Sequence, residues 1–368
     1  VYKRQGLLLL TEHNGTSMLT YKRLDALEVP ATRDVFAINN PKLSLGATPL
    51  SLCWTGEGIT NPNNISDFSN GLEVIVSSSN PTKVFVLDAN TLKVKTEVSY
   101  KGEGTFHPNY IFVPYGGQNM LWDKGGEVVC FVGNGREYIM TLNREFSLGR
   151  IKHQLPTGVQ LADMACSLIT NPTDMLKVYF DKTSKHLMYV SGISELKIGT
   201  TTCNIQPMLL TACGGQYADE NADLRYEPRE VLLIGSTNTS TTLYRFSPAS
   251  KRSEETLIAK TNVTGHILPT SAVGVNPIKP FVYYSDEKGN IYSYNYESNN
   301  FSTEPYISLG HHYRAKQLIF NPYNPNELYV AAEDISIKNG LVSSLFIYDV
   351  NPKDKGKLIR KDEHIGGK

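Results

Sequence analysis

Both tryptophans of the chain stand among polar neighbours. Trp54 precedes Thr55-Gly56-Glu57-Gly58, and Trp122 lies just after Gln118-Asn119 and next to Asp123. An indole beside amides and carboxylates can stack on a sugar ring while its neighbours hydrogen-bond the hydroxyls, because the ring supplies rigid contact area and the polar groups fix orientation. His107, Tyr110, Tyr115 and Tyr217 fall in similar loop-like stretches, and His311-His312-Tyr313-Arg314 opens a late segment. Trp54, His107, Tyr110, Tyr115, Trp122, Tyr217, His311 and Tyr313 therefore form the expected ligand-binding set, and no cofactor is implied. The competing reading packs both indoles between structural units, a common fate for a large aromatic residue.

Other reactive types yield less. Adjacent residues on an extended chain point to opposite sides, so His311 and His312 make a poor metal pair. Asp219, Glu220 and Asp223 offer oxygen atoms to calcium but lack the EF-hand spacing, and a solvated loop is the preferred reading. The stretch Ser285–Tyr292 resembles the Asp-box turn of sialidase propellers, in a single copy with altered spacing, and reads as a hairpin. Five cysteines (Cys53, Cys130, Cys166, Cys203, Cys213) form no CxxC pair and suit no zinc site. Cys130 sits in an apolar run as a small hydrophobe, and a Cys203–Cys213 bridge would close one loop. GxSxG, HExxH and P-loop patterns are absent from the sequence. Glycoside hydrolysis would need two carboxylates facing across a cleft, which separate segments could supply. No catalytic or metal-ligating residue is assigned.

The elements that must carry these residues are short strands. Lys plus Arg and Asp plus Glu each number 36, so the formal charge is zero, which excludes the basic footprint a nucleic-acid binder needs. With 21 Tyr, 29 Gly, 19 Pro and only 20% charged residues, the composition favours strands and tight turns over helices. No apolar stretch reaches the roughly 18–20 residues that cross a bilayer.

One unit recurs: an apolar strand, a turn rich in Ser, Asn, Gly or Asp, and a second strand. The copies are Leu7–Leu10 with Met18–Tyr21, Leu72–Val76 with Lys83–Asp88, Glu127–Val132 with Tyr138–Leu142, Leu187–Val190 with Leu196–Ile198, Val231–Gly235 with Leu243–Phe246, Phe281–Tyr284 with Ile291–Tyr294, and Leu328–Ala332 with Leu345–Asp349. Their mean spacing is about 54 residues, and flanking stretches bring each unit to four strands. That pattern predicts an all-β fold, a seven-bladed β-propeller of four-stranded antiparallel blades filling 6–368 as one domain. Such blades have two apolar faces and must stack to bury them. The one candidate helix is Gln160–Ile169. A pair of β-sandwiches is the rival, but no composition shift marks a linker.

Val1–Gln5 lacks an initiating Met and resembles the translated end of a sequencing adapter, so it reads as a non-native tag. His364–Lys368 reads as the lead-in to a further strand, which predicts an incomplete closing blade. The segment Gly6-Leu7-Leu8-Leu9-Leu10-Thr11-Glu12-His13-Asn14-Gly15-Thr16-Ser17-Met18-Leu19 resembles the GWLVL-x-E-x-NG-x-S-x-L opening of the PKD-like family of Bacteroidota surface lipoproteins, with Leu7 in place of Trp; Ile347-Tyr348-Asp349 is also similar to that family's propeller-like region. The resemblance implies an upstream PKD-like module and lipid anchor, export to the cell surface, membrane attachment only through that anchor, and association with outer-membrane uptake proteins. It carries over no catalytic residue. The expected function is non-catalytic capture of a glycan or docking of an uptake partner. The alternatives are a polysaccharide lyase or glycoside hydrolase on the same scaffold, and a protein–protein interaction scaffold.

Overall fold

The computed structural model describes residues 6–54, 73–100, 104–113, 129–140, 155–171, 174–191, 195–217, 226–250, 252–321, 324–353 and 355–368. The chain opens with a hairpin, β1 (Gly6–His13) and β2 (Thr16–Arg23), turned by Asn14 and Gly15 at positive φ. That backbone matches the right-handed twist of the two strands, and Asn-Gly adopts it readily. A short helix, α1 (Val35–Asn39), follows.

Six larger antiparallel sheets come next, each a meander from its first strand outward. Blade I is β3 (Thr48–Trp54), β4 (Glu73–Ser79), β5 (Lys83–Asp88) and β6 (Val94–Glu97). Blade II is β7 (Tyr110–Phe112), β8 (Val129–Gly133) and β9 (Arg136–Met140), three strands among the described residues. Blade III is β10 (Leu161–Asn171), β11 (Asp174–Asp181), β12 (Leu187–Ser191) and β13 (Glu195–Ile198). Blade IV starts at β14 (Gln206–Cys213), is interrupted by a ribbon of β15 (Gln216–Tyr217) and β16 (Tyr226–Glu227), and continues as β17 (Glu230–Ser236), β18 (Thr241–Ser247) and β19 (Thr256–Asn262). Blade V is β20 (Val273–Val275), β21 (Phe281–Ser285) and β22 (Asn290–Asn295), whose outer edge carries both β23 (Asn300–Phe301) and β24 (Ile307–Ser308). Blade VI is β25 (Tyr313–Asn321), β26 (Asn324–Asp334), β27 (Ser343–Asp349) and β28 (Lys357–Gly366).

The fold is an all-β propeller of six blades, where seven were expected. The unit expected as the first blade supplies only two paired strands. After β2 the chain makes a single bridge, Tyr21 to Thr32, and then coils into α1. Blade VI has all four strands, so the expected incomplete closing blade is also corrected. The fourth repeat is out of step with the others: Leu187–Val190 and Leu196–Ile198 are the third and fourth strands of blade III, and β11 is its second. The candidate helix Gln160–Ile169 falls on the strand β10. The alternation there was hidden by a register shift between Leu161 and Ala165. Cys203 and Cys213 are free thiols, buried in two different blade interfaces, and so form no bridge.

Packing follows from side chains alternating along a strand. In β17, Val231 and Leu233 join the cluster shared with blade III, while Leu232 and Ile234 join the one shared with blade V. Among the described residues six such apolar clusters fill the spaces between hairpin and blade I and between each consecutive pair of blades. α1 belongs to the first of them. Phe36 sets its ring 5.2 Å from Phe85, and Asn40 ties the helix end to the β5–β6 turn, donating to Leu92 O (3.0 Å) and accepting from Val94 N (2.8 Å).

Candidate functional site

The first strands of the blades run in one direction, so the ring has a start end and a finish end. Contacts between neighbouring blades show the common sense: Asn109 Nδ2 donates to Asp163 Oδ2 at 2.9 Å, joining the beginnings of β7 and β10, and Gly135 bridges Leu161. The expected binding residues divide between these ends.

At the start end lie His107, Tyr110, His311 and Tyr313. His107 is half-buried ahead of β7, with its carbonyl pressed on Gly133, where a Cβ would come within 1.9 Å of it. Tyr110 donates from its hydroxyl to Ala165 O (3.1 Å), across to blade III. Tyr313 is buried in blade VI; its hydroxyl donates to Glu363 Oε1 (2.6 Å), and Lys361 Nζ lies 5.0 Å from its ring centre. Tyr313 is thus a packing residue. Of the two histidines in that segment, His311 is exposed and His312 half-buried.

The start end also holds a cluster that sequence reasoning missed. Asp334, at the end of β26, is buried and accepts from Ser336 Oγ (2.5 Å) and Ser336 N (3.0 Å). Its Oδ2 lies 3.2 Å from His364 Nε2 and 4.0 Å from His312 Nε2. Burial raises the Asp334 carboxyl, but the Ser336 hydrogen bonds and the neighbouring imidazoles outweigh it and hold the group below the ordinary carboxylate range. An anchored carboxylate thereby orients two imidazoles. The Asp-x-Ser spacing was a readable signal for half of this; His364 comes from another strand and was not. Among the described residues no cluster of three His, Cys, Asp or Glu side chains could hold a metal ion.

At the finish end, Trp54 is the last residue of β3 rather than a loop residue, and packs against the cluster of Val74, Phe85 and Leu87. Tyr217 pairs with Tyr226 in the β15–β16 ribbon. Tyr115, Trp122 and the acidic stretch from Asp219 to Asp223 lie outside the described residues. This end of blade VI bears a groove of about 510 Å³ lined by Asn324, Asn326, Glu327, Asp349, Asn351 and Lys357, with exposed Leu358 and Ile359 at its side. Lys279 reaches over from blade V and donates to the amide oxygens of Asn326 (2.8 Å) and Asn351 (3.0 Å). Nothing in the repeat pattern signalled this groove, because Asn-Pro and Asn-rich stretches read as turn chemistry.

The carboxylates within the ring are engaged elsewhere. Glu137 accepts from both Lys177 and Tyr179 between blades II and III. Glu255 accepts from Tyr189 (2.6 Å) and from the N–H groups of Thr200 (3.1 Å) and Thr201 (2.9 Å). Burial pushes the Cys203 and Cys213 thiols up to about 12, so they stay protonated and are poor nucleophiles. The Asp286 carboxylate caps its own turn, accepting from Lys288 N (2.8 Å), Asn290 N (2.8 Å) and Asn290 Nδ2 (2.9 Å), a structural hairpin.

No protein-family model matches the chain, and no curated protein matches it. Among solved structures it is similar to a protein from Lactobacillus plantarum, with a TM-score of 0.59 and 14% identity over 98% of this chain and 96% of that one. It is also similar to the β-propeller domain of Myceliophteria thermophila Cps50 (Swd1), with a TM-score of 0.50 and 11% identity over 90% of this chain and 93% of that one. At such identities the likeness is one of fold, and it agrees with the propeller built from the strand pairing above.

Proposed function

We propose that the protein is a non-catalytic binding module that captures a glycan at the finish end of the ring. The groove on blade VI supports this reading most directly. Three asparagines, two carboxylates and a lysine give alternating donors and acceptors suited to sugar hydroxyls, and Leu358 and Ile359 offer apolar surface to a ring face. Trp54 and Tyr217 lie at the same end. The resemblance of Gly6–Leu19 to PKD-like surface lipoproteins supports the setting: an exported protein, anchored upstream by lipid at the outer membrane, that passes its ligand to uptake proteins. On this reading the groove holds a neutral oligosaccharide and performs no bond cleavage.

Calorimetric titration with a panel of neutral oligosaccharides tests the proposal. Binding by the unaltered protein, weakened about tenfold in Asn351→Ala, is the expected result, since a lost hydrogen bond to a ligand costs on the order of 1–1.5 kcal/mol. Absence of binding to every member, or release of shortened sugars on incubation with polysaccharide, would overturn it; the latter would favour a lyase or hydrolase.

A further inference from the structure

One exposed ring outside the groove is backed by two others. His266 follows β19 in the connection from blade IV to blade V, and its imidazole lies flat on Phe301, with ring centres 3.8 Å apart and planes 11° apart. Phe301 in turn lies flat on Tyr294, at 4.1 Å and 16°. The column is anchored at its inner end, where Tyr294 is fully buried and donates from its hydroxyl to Asn299 Oδ1 at 3.1 Å. At the outer end His266 is exposed. Phe301 covers one face of the imidazole, so the exposed surface is the other face and the ring edges.

The backbone under His266 is fixed as well. Val263 N donates to Thr241 O (2.9 Å), and His266 N and Ile267 N both turn back to Val263 O (3.2 and 3.0 Å). Val263 and Ile267 are fully buried on either side of the exposed ring. Thr241 N donates to Thr264 Oγ1 (2.9 Å), which ties the same turn to β18. A Cβ on Gly265 would meet nothing within 4 Å, so the space beside the ring is open. Neither ring nitrogen of His266 has a hydrogen-bond partner among the described residues. Asn262, which ends β19, and Asn300, next to Phe301 in β23, are exposed amides of the same two strands.

We propose that the open face of His266 is a carbohydrate platform on the rim between blades IV and V, and that it takes the apolar face of a pyranose ring. A flat ring held from behind and mounted on a fixed turn has little freedom left to lose on binding, and this preorganisation removes a main cost of using an exposed side chain. A pyranose presents C–H bonds on its face and hydroxyls around its edge. The imidazole matches both, with a π face for the C–H bonds and two polar nitrogens at its edge, and the asparagine amides add donors and acceptors. An aromatic side chain of a protein would match the face but not the polar edge. Together with the groove proposed above, the platform would hold one polysaccharide at two points; alone it needs nothing from that groove.

The test labels the histidine Cε1 positions with carbon-13 and follows the His266 signal, assigned by its loss in His266→Ala, during titration with cellotetraose, maltotetraose, laminaritetraose and xylotetraose. A saturating shift with at least one of these sugars, with the same midpoint in Asn351→Ala, is the expected result. Phe301→Ala removes the backing of the ring and should weaken this binding about fivefold on the same signal. His266→Trp puts a larger ring on the same mount and should bind about fivefold more tightly, read on its own indole N–H signal. No shift at His266 with any of the four sugars would overturn the platform, whatever calorimetry shows at the groove. A midpoint that moves with Asn351→Ala would overturn it too, because the signal then reports the groove. A shift at His266 in a protein whose calorimetric binding is untouched by Asn351→Ala upholds the platform and counts against the groove, so the two readings fail separately.

Discussion

Hairpin meets blade VI differently from the way every pair of consecutive blades meets. Blades III and IV share Phe180, Tyr189, Leu233 and Phe246, all buried, in one apolar cluster. The contact between blade VI and the hairpin has no such cluster among the described residues. It is stitched by polar groups: Lys22 Nζ to Asp362 Oδ2 (3.1 Å), Thr20 Oγ1 to Ile365 O (2.8 Å), and Gly367 N to Thr11 Oγ1 (3.1 Å). Apolar burial is non-directional and tolerates small shifts of one blade on the next. Hydrogen bonds and ion pairs demand one register. Between neighbours in sequence the contacts are mostly of the forgiving apolar kind, with a buried ion pair, Lys177–Glu137, added between blades II and III. Directional ones serve where residues more than 300 positions apart must find each other, as Thr20 and Ile365 do across 345 residues. Closing so long a loop carries an entropic cost that grows only slowly with length, so a few specific bonds suffice.

The largest effect should come from splitting the buried ion pair. Lys22 is 1% exposed at its side chain and Asp362 4%, with Arg360 also on the carboxylate and the carbonyls of Leu27 and Val29 on the ammonium. Asp362→Ala leaves a buried cation and should cost about 3–5 kcal/mol in chemical denaturation. The double variant Lys22→Met/Asp362→Leu should recover most of it, because apolar replacement removes both desolvation penalties. Phe246→Ala in the blade III–IV interface should cost a similar ~3–5 kcal/mol through cavity formation, with no rescue by any single polar partner. If Asp362→Ala proves as mild as a surface change, the seam is not held by this pair and the contrast between the two kinds of interface fails.

The apolar interfaces were legible in the sequence and the seam was not. Lys83–Asp88, Phe281–Tyr284 and Leu243–Phe246 announced themselves by runs of β-formers bounded by turn residues, and each lies in a strand of the expected kind. Those signals are local. The blade count was missed because the hairpin looks like a blade's centre until one knows that Leu24–Arg33 forms no third strand and that α1 follows. Likewise residue type does not tell which way a side chain faces: Tyr313 turns inward to Glu363, whereas Asp334 and His364 meet only because β26 and β28 end together. Lys22 offered no signal at all; a lysine in Thr-Tyr-Lys-Arg reads as solvated.

A smaller effect probes the backbone rather than the charge. Gly367→Ala would place a methyl group 1.7 Å from the Glu12 carbonyl oxygen, a backbone atom that cannot swing aside. Ser343 Oγ also donates to Gly367 O, fixing that residue from the other side. The seam must then part locally, at an expected cost of about 1–3 kcal/mol. Protection of the Glu12 amide in hydrogen exchange should fall sharply, while amides in β17 and β18 stay protected. Gly265→Ala, where nothing lies within 4 Å, serves as a glycine replacement away from the seam. Comparable exchange at Glu12 in both variants would mean that close approach at Gly367 is not what holds the seam.

The mildest perturbation is pH, and it distinguishes the two interfaces without any mutation. Burial alone would raise the Asp362 carboxyl, but hydrogen bonds from Arg360 and Lys22 and their positive charges prevail and lower it below the ordinary value. A folded-state carboxyl lower than the unfolded one contributes stability that is present above the unfolded value, about 3.9 for an aspartate. That contribution is lost as pH falls through the still lower folded value, because the unfolded chain takes up its proton first. Between pH 6 and 3 the stability difference between the unaltered protein and Asp362→Asn should therefore shrink. The difference between the unaltered protein and Phe246→Ala, which involves no titrating group, should stay constant over the same range. Denaturation midpoints at each pH give both differences from one set of curves. If the two differences run parallel down to pH 3, Asp362 does not carry the seam's charge, and the polar stitch rests on Thr11, Thr20 and the glycine backbone alone.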